Sequence, residues 1–150
     1  MYISNEFSRL EINLNGCLEN YRYFRSRLEA STKLLVLVKA NAYGHGAVQF
    51  ASLMEEAGAD YLAVAYPIEG IELRQAGIKS PVMVLTAGTD SFEQIVNYGL
   101  EPGIPNMYSL RVLCDVLQKR GINDFPIHIK IDTGMHRLGF MSDELPELMD

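Results

Sequence analysis

Five short aliphatic runs recur along this chain, beginning near residues 34, 60, 82, 100 and 127, and each gap between them has room for one helix. No other feature limits the fold so strongly. Strands that are apolar on both faces need cover on both, and strands joined through a helix run parallel, because a hairpin cannot make that connection. The alternation predicts an α/β architecture built from repeated strand–helix units. Periodicity leaves two forms open, a doubly wound sheet and a (β/α)8 barrel.

The strands are expected over residues 34–38, 61–65, 82–85, 100–104 and 127–131. The fourth is the weakest, because Pro102 and Gly103 interrupt it. Before them, residues 8–12 read as a short strand with Leu10 and Ile12 on one face. Leu14, Leu18, Tyr21, Phe24 and Leu28 then recur at helical spacing, with Asn13 or Asn15 placed to cap the helix they form. Further helices are expected over residues 46–58, 67–77, 91–98 and 106–120, and one begins at Asp143. Pro67 suits a first helical position, and Gly58, Gly77, Gly99 and Gly121 suit the stops.

Composition narrows the function. With 150 residues the chain can bury the core of one domain, and 48% hydrophobic with 21% charged residues is ordinary for a globular protein. A net charge of -6 with 13 scattered basic residues argues against a nucleic-acid partner. No apolar run approaches the roughly 18 residues of a membrane span. Residues 1–10 lack a basic start and an apolar centre, so no membrane partner and a cytoplasmic location are expected. Cys17 and Cys114 share no metal-type spacing, so no metal and no disulfide is expected, and both read as packed thiols.

The first aliphatic strand ends in Lys39, ahead of a turn punctuated by Gly44 and Gly46. A lysine at the mouth of an apolar strand loses part of its hydration, which favours the neutral, nucleophilic amine. Such an amine can condense with an aldehyde. Pyridoxal phosphate is the aldehyde cofactor held in this way, and Gly44 and Gly46 could offer backbone N–H groups to its phosphate. The residue pattern alone leaves a plainer alternative standing, a strand-ending lysine that reaches out to water. In the fifth strand the isoleucines at 127, 129 and 131 share one face, and His128, Lys130 and Asp132 share the other. In a barrel that second face points to the axis, so Lys39, Lys130 and Asp132 are expected near the strands' carboxyl ends.

Two blocks carry a resemblance. Val38-Lys39-Ala40-Asn41-Ala42-Tyr43-Gly44-His45-Gly46 resembles the cofactor-lysine signature of the alanine racemases, and Lys130-Ile-Asp132-Thr-Gly134-Met-His136-Arg137-Leu-Gly139 resembles that family's second block. The resemblance runs from about Leu10 onward and corresponds to the first part of a complete family member. It implies a fold-type III barrel of which this chain holds about five of eight strand–helix units, as a single truncated cofactor-binding domain. The remaining barrel strands, and a β-rich domain to which the first short strand would pair, are absent from it.

The same resemblance implies a pyridoxal 5'-phosphate-dependent isomerase that interconverts L- and D-alanine for peptidoglycan synthesis, working as a homodimer. It casts Lys39 as the cofactor-bound catalytic base, Tyr43 as a phosphate ligand and Arg137 as a contact of both cofactor and substrate. Lys130 corresponds to a lysine that is often carbamylated in the family, and the charge argument agrees, because two ammonium groups facing one cavity, those of Lys39 and Lys130, require that one be neutral, paired or modified. Inversion requires a second acid/base, which the family takes from the partner subunit's second domain. The isolated chain is accordingly expected to be a poor racemase. A racemase of another small amino acid, a non-catalytic cofactor-binding barrel, and a racemase fused to a cell-wall peptide ligase share parts of this pattern. His45 and His136 are expected to be structural, and Asp132, Asn41, Gly44 and Gly46 to shape their loops.

Overall fold

A computed structural model describes residues 10–149. Helix α1 (Leu14–Ser26) starts where the Asn13 side chain accepts the Gly16 N–H at 3.1 Å. Then follow β1 (Leu35–Leu37), a one-turn α2 (Lys39–Tyr43), α3 (Ala47–Glu56), β2 (Tyr61–Val64), α4 (Pro67–Gln75), β3 (Val82–Val84), α5 (Phe92–Asn97), β4 (Glu101–Ile104), α6 (Met107–Lys119), β5 (His128–Ile129) and α7 (Leu145–Met149). A 3₁₀ turn over Thr89–Ser91 leads into α5. Of the short strand expected over residues 8–12, residues 8 and 9 lie outside the described residues. Residues 10–12 are not in a strand, since an extended segment without a neighbour has no ladder to join.

All strand pairings are parallel, and the spatial order is β1-β2-β3-β4-β5, the order of the sequence. A doubly wound sheet reverses its strand order at a switch point. This sheet does not, so the (β/α) barrel alternative holds and the chain forms five consecutive units of one.

Alternation sorts each strand into two faces. Val38, Leu62, Val64, Val82, Val84 and Ile104 are fully buried in one core with Ala51 and Met54 of α3, Leu73 of α4, Phe92 and Ile95 of α5 and Leu113 of α6. The opposite face carries Leu35, Tyr61, Met83, Glu101, Gly103, His128 and Lys130. β4, the least regular strand by sequence, is buried at all four residues because it lies between two ladders. Pro102 removes only one donor, and a parallel strand directs alternate residues to alternate neighbours, so the second ladder survives. β5 is shorter than the expected 127–131. Beyond Ile129, the Lys130 N–H reaches the Ile104 carbonyl at 2.9 Å, and Ile131 bridges to Phe140 of its own chain.

Candidate active site

Lys39 follows β1 and opens the turn α2. Ala40, Asn41 and Ala42 have φ of 51°, 54° and 50°, and Tyr43 has φ of 54°, so α2 is a left-handed turn of four residues, none of them glycine. Each such residue costs about 1–2 kcal/mol relative to the right-handed form, and a run of four persists only if surrounding bonds outweigh that strain. Those bonds are present. Asn41 Oδ1 accepts the Ala47 N–H at 2.7 Å, tying the turn to the start of α3. Glu69, in the first turn of α4, accepts the Ala40 N–H through Oε1 at 2.6 Å, and the Ala65 and Tyr66 N–H groups through Oε2 at 2.7 and 2.9 Å. A bond to a charged acceptor is worth about 1.5–3 kcal/mol, so the Glu69–Ala40 bond offsets part of that strain, and the Asn41–Ala47 bond and the turn's own backbone bonds add to it.

Gly44 and Gly46 do not serve as expected. The Gly44 N–H donates to Ala40 and Asn41 carbonyls and the Gly46 N–H to the Asn41 carbonyl, so both donors are consumed inside the turn and neither is aimed at a phosphate. Their φ values of 90° and 91° explain the residue choice instead, since the chain leaves a left-handed turn only by such angles. His45 Nδ1 lies 2.7 Å from the Ala42 carbonyl, a contact of the kind a structural role calls for. What the turn presents outward is the Tyr43 side chain, 59% exposed, with Lys39 Nζ 6.0 Å from its ring centroid. Among the described residues Lys39 has no carboxylate partner.

The second group follows β5, which is separated from β1 by the three strands β2, β3 and β4. The Lys130 side chain crosses Gly103, where an added Cβ would lie 3.2 Å from its Cδ, and Nζ donates to the Leu85 carbonyl at 3.3 Å. Burial, and then the Arg137 guanidinium, hold the Lys130 pKa below its ordinary value. The repulsion expected between Lys39 and Lys130 is therefore not the one that acts, because the cation that bears on Lys130 is Arg137. Asp132 does not converge on either lysine. Its carboxylate accepts the Gly134 and His136 N–H groups at 2.9 and 3.0 Å and faces His136 Nδ1 at 3.2 Å, which fits its expected loop-shaping role.

His128 belongs to neither loop. Its Nε2 lies 2.7 Å from Glu101 Oε2, and its ring meets Tyr61 edge-on at 5.8 Å. Burial and the Glu101 carboxylate push the Tyr61 hydroxyl pKa up. This cluster occupies the end at which β2, β4 and β5 begin, opposite the end that bears Lys39. Sequence reading missed Glu69 and Glu101. A signal existed for Glu69, three residues into a proline-started helix after a strand, where an acid reaches back to free N–H groups. Nothing local marks Glu101.

The chain matches the family model described as "Alanine racemase, N-terminal domain" over residues 12–150. It is 42% identical over 132 residues to an alanine racemase of Synechocystis sp., covering 87% of this chain and 35% of that protein. To an alanine racemase of Thermodesulfovibrio yellowstonii it is 40% identical over 138 residues, covering 90% and 37%. Among solved structures, alanine racemase from Clostridium difficile aligns with a TM-score of 0.83 at 34% identity, covering 88% of this chain and 36% of that one. The enzyme from Bartonella henselae, described with covalently bound pyridoxal phosphate, aligns with a TM-score of 0.83 at 28% identity over 92% and 38%. The chain therefore spans a little over a third of the length of the relatives it matches.

Proposed function

Because this chain belongs to the alanine racemase N-terminal domain family, we propose that it is the cofactor-bearing part of a pyridoxal 5'-phosphate-dependent racemase that interconverts L- and D-alanine for peptidoglycan. The observation that carries this reading is Lys39, an amine without a carboxylate partner among the described residues, at the carboxyl end of a barrel strand beside an outward tyrosine.

The residues present fit the cofactor in kind. Lys39 offers the amine, the Tyr43 hydroxyl a donor for a phosphate oxygen, and Arg137 a guanidinium fork for a carboxylate or a ring oxygen. Pyridoxal phosphate, when bound, supplies an aldehyde for an amine to join and a ring that withdraws electrons from the α-carbon of the amino acid. Lys39 Nζ takes the α-proton from one enantiomer and returns a proton when the reaction runs in reverse. A second acid/base on the opposite face completes inversion and comes from outside residues 1–150, from the partner subunit of a homodimer.

Lys130 is carbamylated in this reading. Its neutral amine adds to carbon dioxide with loss of a proton, so a cation becomes an anion able to hold Arg137, which relieves the repulsion that lowers its pKa. Intact mass before and after mild acid, with peptide mapping, is expected to find a labile carboxyl group on Lys130. A bare amine at neutral pH in carbonate buffer removes the idea.

The chain acts as part of a longer or assembled barrel. A cavity of about 370 Å³ lies beside the free edge of β1, lined by Tyr21, Phe24, Leu35, Leu37, Phe50 and Met54. In a closed barrel an eighth strand would lie along that edge. No helix among the described residues is long and apolar enough to cross a membrane, and the reading places the protein in the cytoplasm.

Borohydride reduction of the purified chain with pyridoxal phosphate, followed by peptide mapping, tests the proposal. The label is expected on Lys39, and a label on another lysine in its place overturns the assignment. The 150-residue chain alone is expected to form D-alanine no faster than a Lys39→Ala control. Turnover well above that control would show the missing parts to be dispensable.

A further inference from the structure

The tie between Glu69 and Ala40 joins the segments that follow β1 and β2 through two residues 29 apart in sequence. One carboxylate oxygen serves the N–H groups of Ala65 and Tyr66, just ahead of its own helix, as an acid in a first helical turn commonly does. The other oxygen is turned away from α4 and accepts the Ala40 N–H. That N–H lies in the peptide plane shared with the Lys39 carbonyl. Fixing it fixes the backbone torsion that follows the Lys39 Cα, and with it where the turn that carries Tyr43 stands relative to the Lys39 side chain. The next four residues are left-handed, a conformation that a free segment abandons.

We propose that Glu69 is a positioning residue for Lys39, holding the first peptide of the left-handed turn so that the lysine amine stays over Tyr43 at the mouth of the barrel. The inference rests on the reading of Lys39 as the cofactor lysine. A glutamine at 69 has one acceptor oxygen where the site needs two. Whichever way the amide turns, its NH₂ group faces a donor. The oxygen stays with Ala65 and Tyr66, which offer two donors, and the Ala40 N–H loses its partner.

The experiment compares the wild-type chain with Glu69→Gln, Glu69→Asp and a control, Glu55→Gln. Glu55 also accepts three bonds, from the Lys79 and Ser80 N–H groups and the Ser80 hydroxyl, but it does so away from the turn. Two quantities are read: hydrogen exchange at the Ala40 amide, without cofactor, and the share of borohydride-fixed pyridoxyl label on Lys39. Glu69→Gln is expected to speed Ala40 exchange and to lower the Lys39 share by about tenfold each, as for loss of one charge-assisted hydrogen bond. Glu55→Gln is expected to lower the melting temperature comparably while leaving both unchanged.

If Glu69→Gln does not fold, Glu69→Asp carries the same test, since its shorter arm keeps the charge but does not span to Ala40. An Ala40 amide that stays protected in the variant, or one that is freed while Lys39 labels as in wild type, overturns the proposal. A wild-type chain unlabelled at Lys39 would instead sink the reading of the site. The exchange measurement alone would then decide whether Glu69 holds the turn.

Discussion

The two loops that carry candidate cations are built on opposite plans. The loop after β1 stores strain in four left-handed residues and borrows its stability from elsewhere, from Glu69 on α4 and from Asn41 reaching to α3. The loop after β5 is self-contained. Asp132 binds the N–H groups of its own next residues, and the segment is then pinned by Phe140, which is fully buried and exchanges backbone bonds with Lys130 and Asp132 at 2.8 and 2.9 Å. The contrast teaches that a side chain can be aimed either by a distant carboxylate or by a local turn closed with an apolar plug. The first arrangement is sensitive to polar substitutions far away in sequence. The second is sensitive to loss of packing nearby.

Removing the plug should have the largest effect. Phe140→Ala is expected to destabilise the chain by about 3–5 kcal/mol, as for other buried phenylalanines, and to loosen the segment from Asp132 onward. Denaturant unfolding measures the first and hydrogen exchange at Asp132 the second. A loss under about 1 kcal/mol would mean that the loop holds its shape without the anchor.

Asn41→Ala probes the other plan. It leaves the Ala47 N–H without its acceptor and is expected to cost about 1–2 kcal/mol, with faster exchange confined to residues 40–47. If exchange also rises after β5, the two loops are coupled and the comparison fails.

The smallest effect is electrostatic. Hydrogen bonds from the His136 and Gly134 N–H groups hold the Asp132 pKa below its ordinary 3.8. A carboxyl depressed in the folded state adds stability above its unfolded value and loses it as pH falls through the folded one. Wild type is therefore expected to be more stable than Asp132→Asn at neutral pH, and the gap to close below about pH 4, as the carboxyl protonates. A gap that does not change with pH would assign the role of Asp132 to shape alone.

Much of this was legible in the chain itself. Alternating aliphatic runs and amphipathic segments announced every unit of the sheet, because the period of side-chain burial is a local property. The motif blocks around Lys39 and Arg137 were equally plain. The weak spots were β4, where Pro102 and Gly103 hid a central strand, and the glycines of the first turn, whose donors turned out to be spent internally.

Sequence by itself determined the inventory: parallel strand–helix units, one lysine at the end of the first strand, and a second cationic block after the fifth. Only the tertiary structure decided that the strands follow one another without reversal. It alone showed that the Arg137 charge bears on Lys130 while Lys39 lies over the Tyr43 ring, and that Glu69 accepts the peptide N–H after Lys39. The physical reason is range. Burial periodicity and turn chemistry act over a few residues, whereas a carboxylate 29 positions away finds its donor only once the helices have packed.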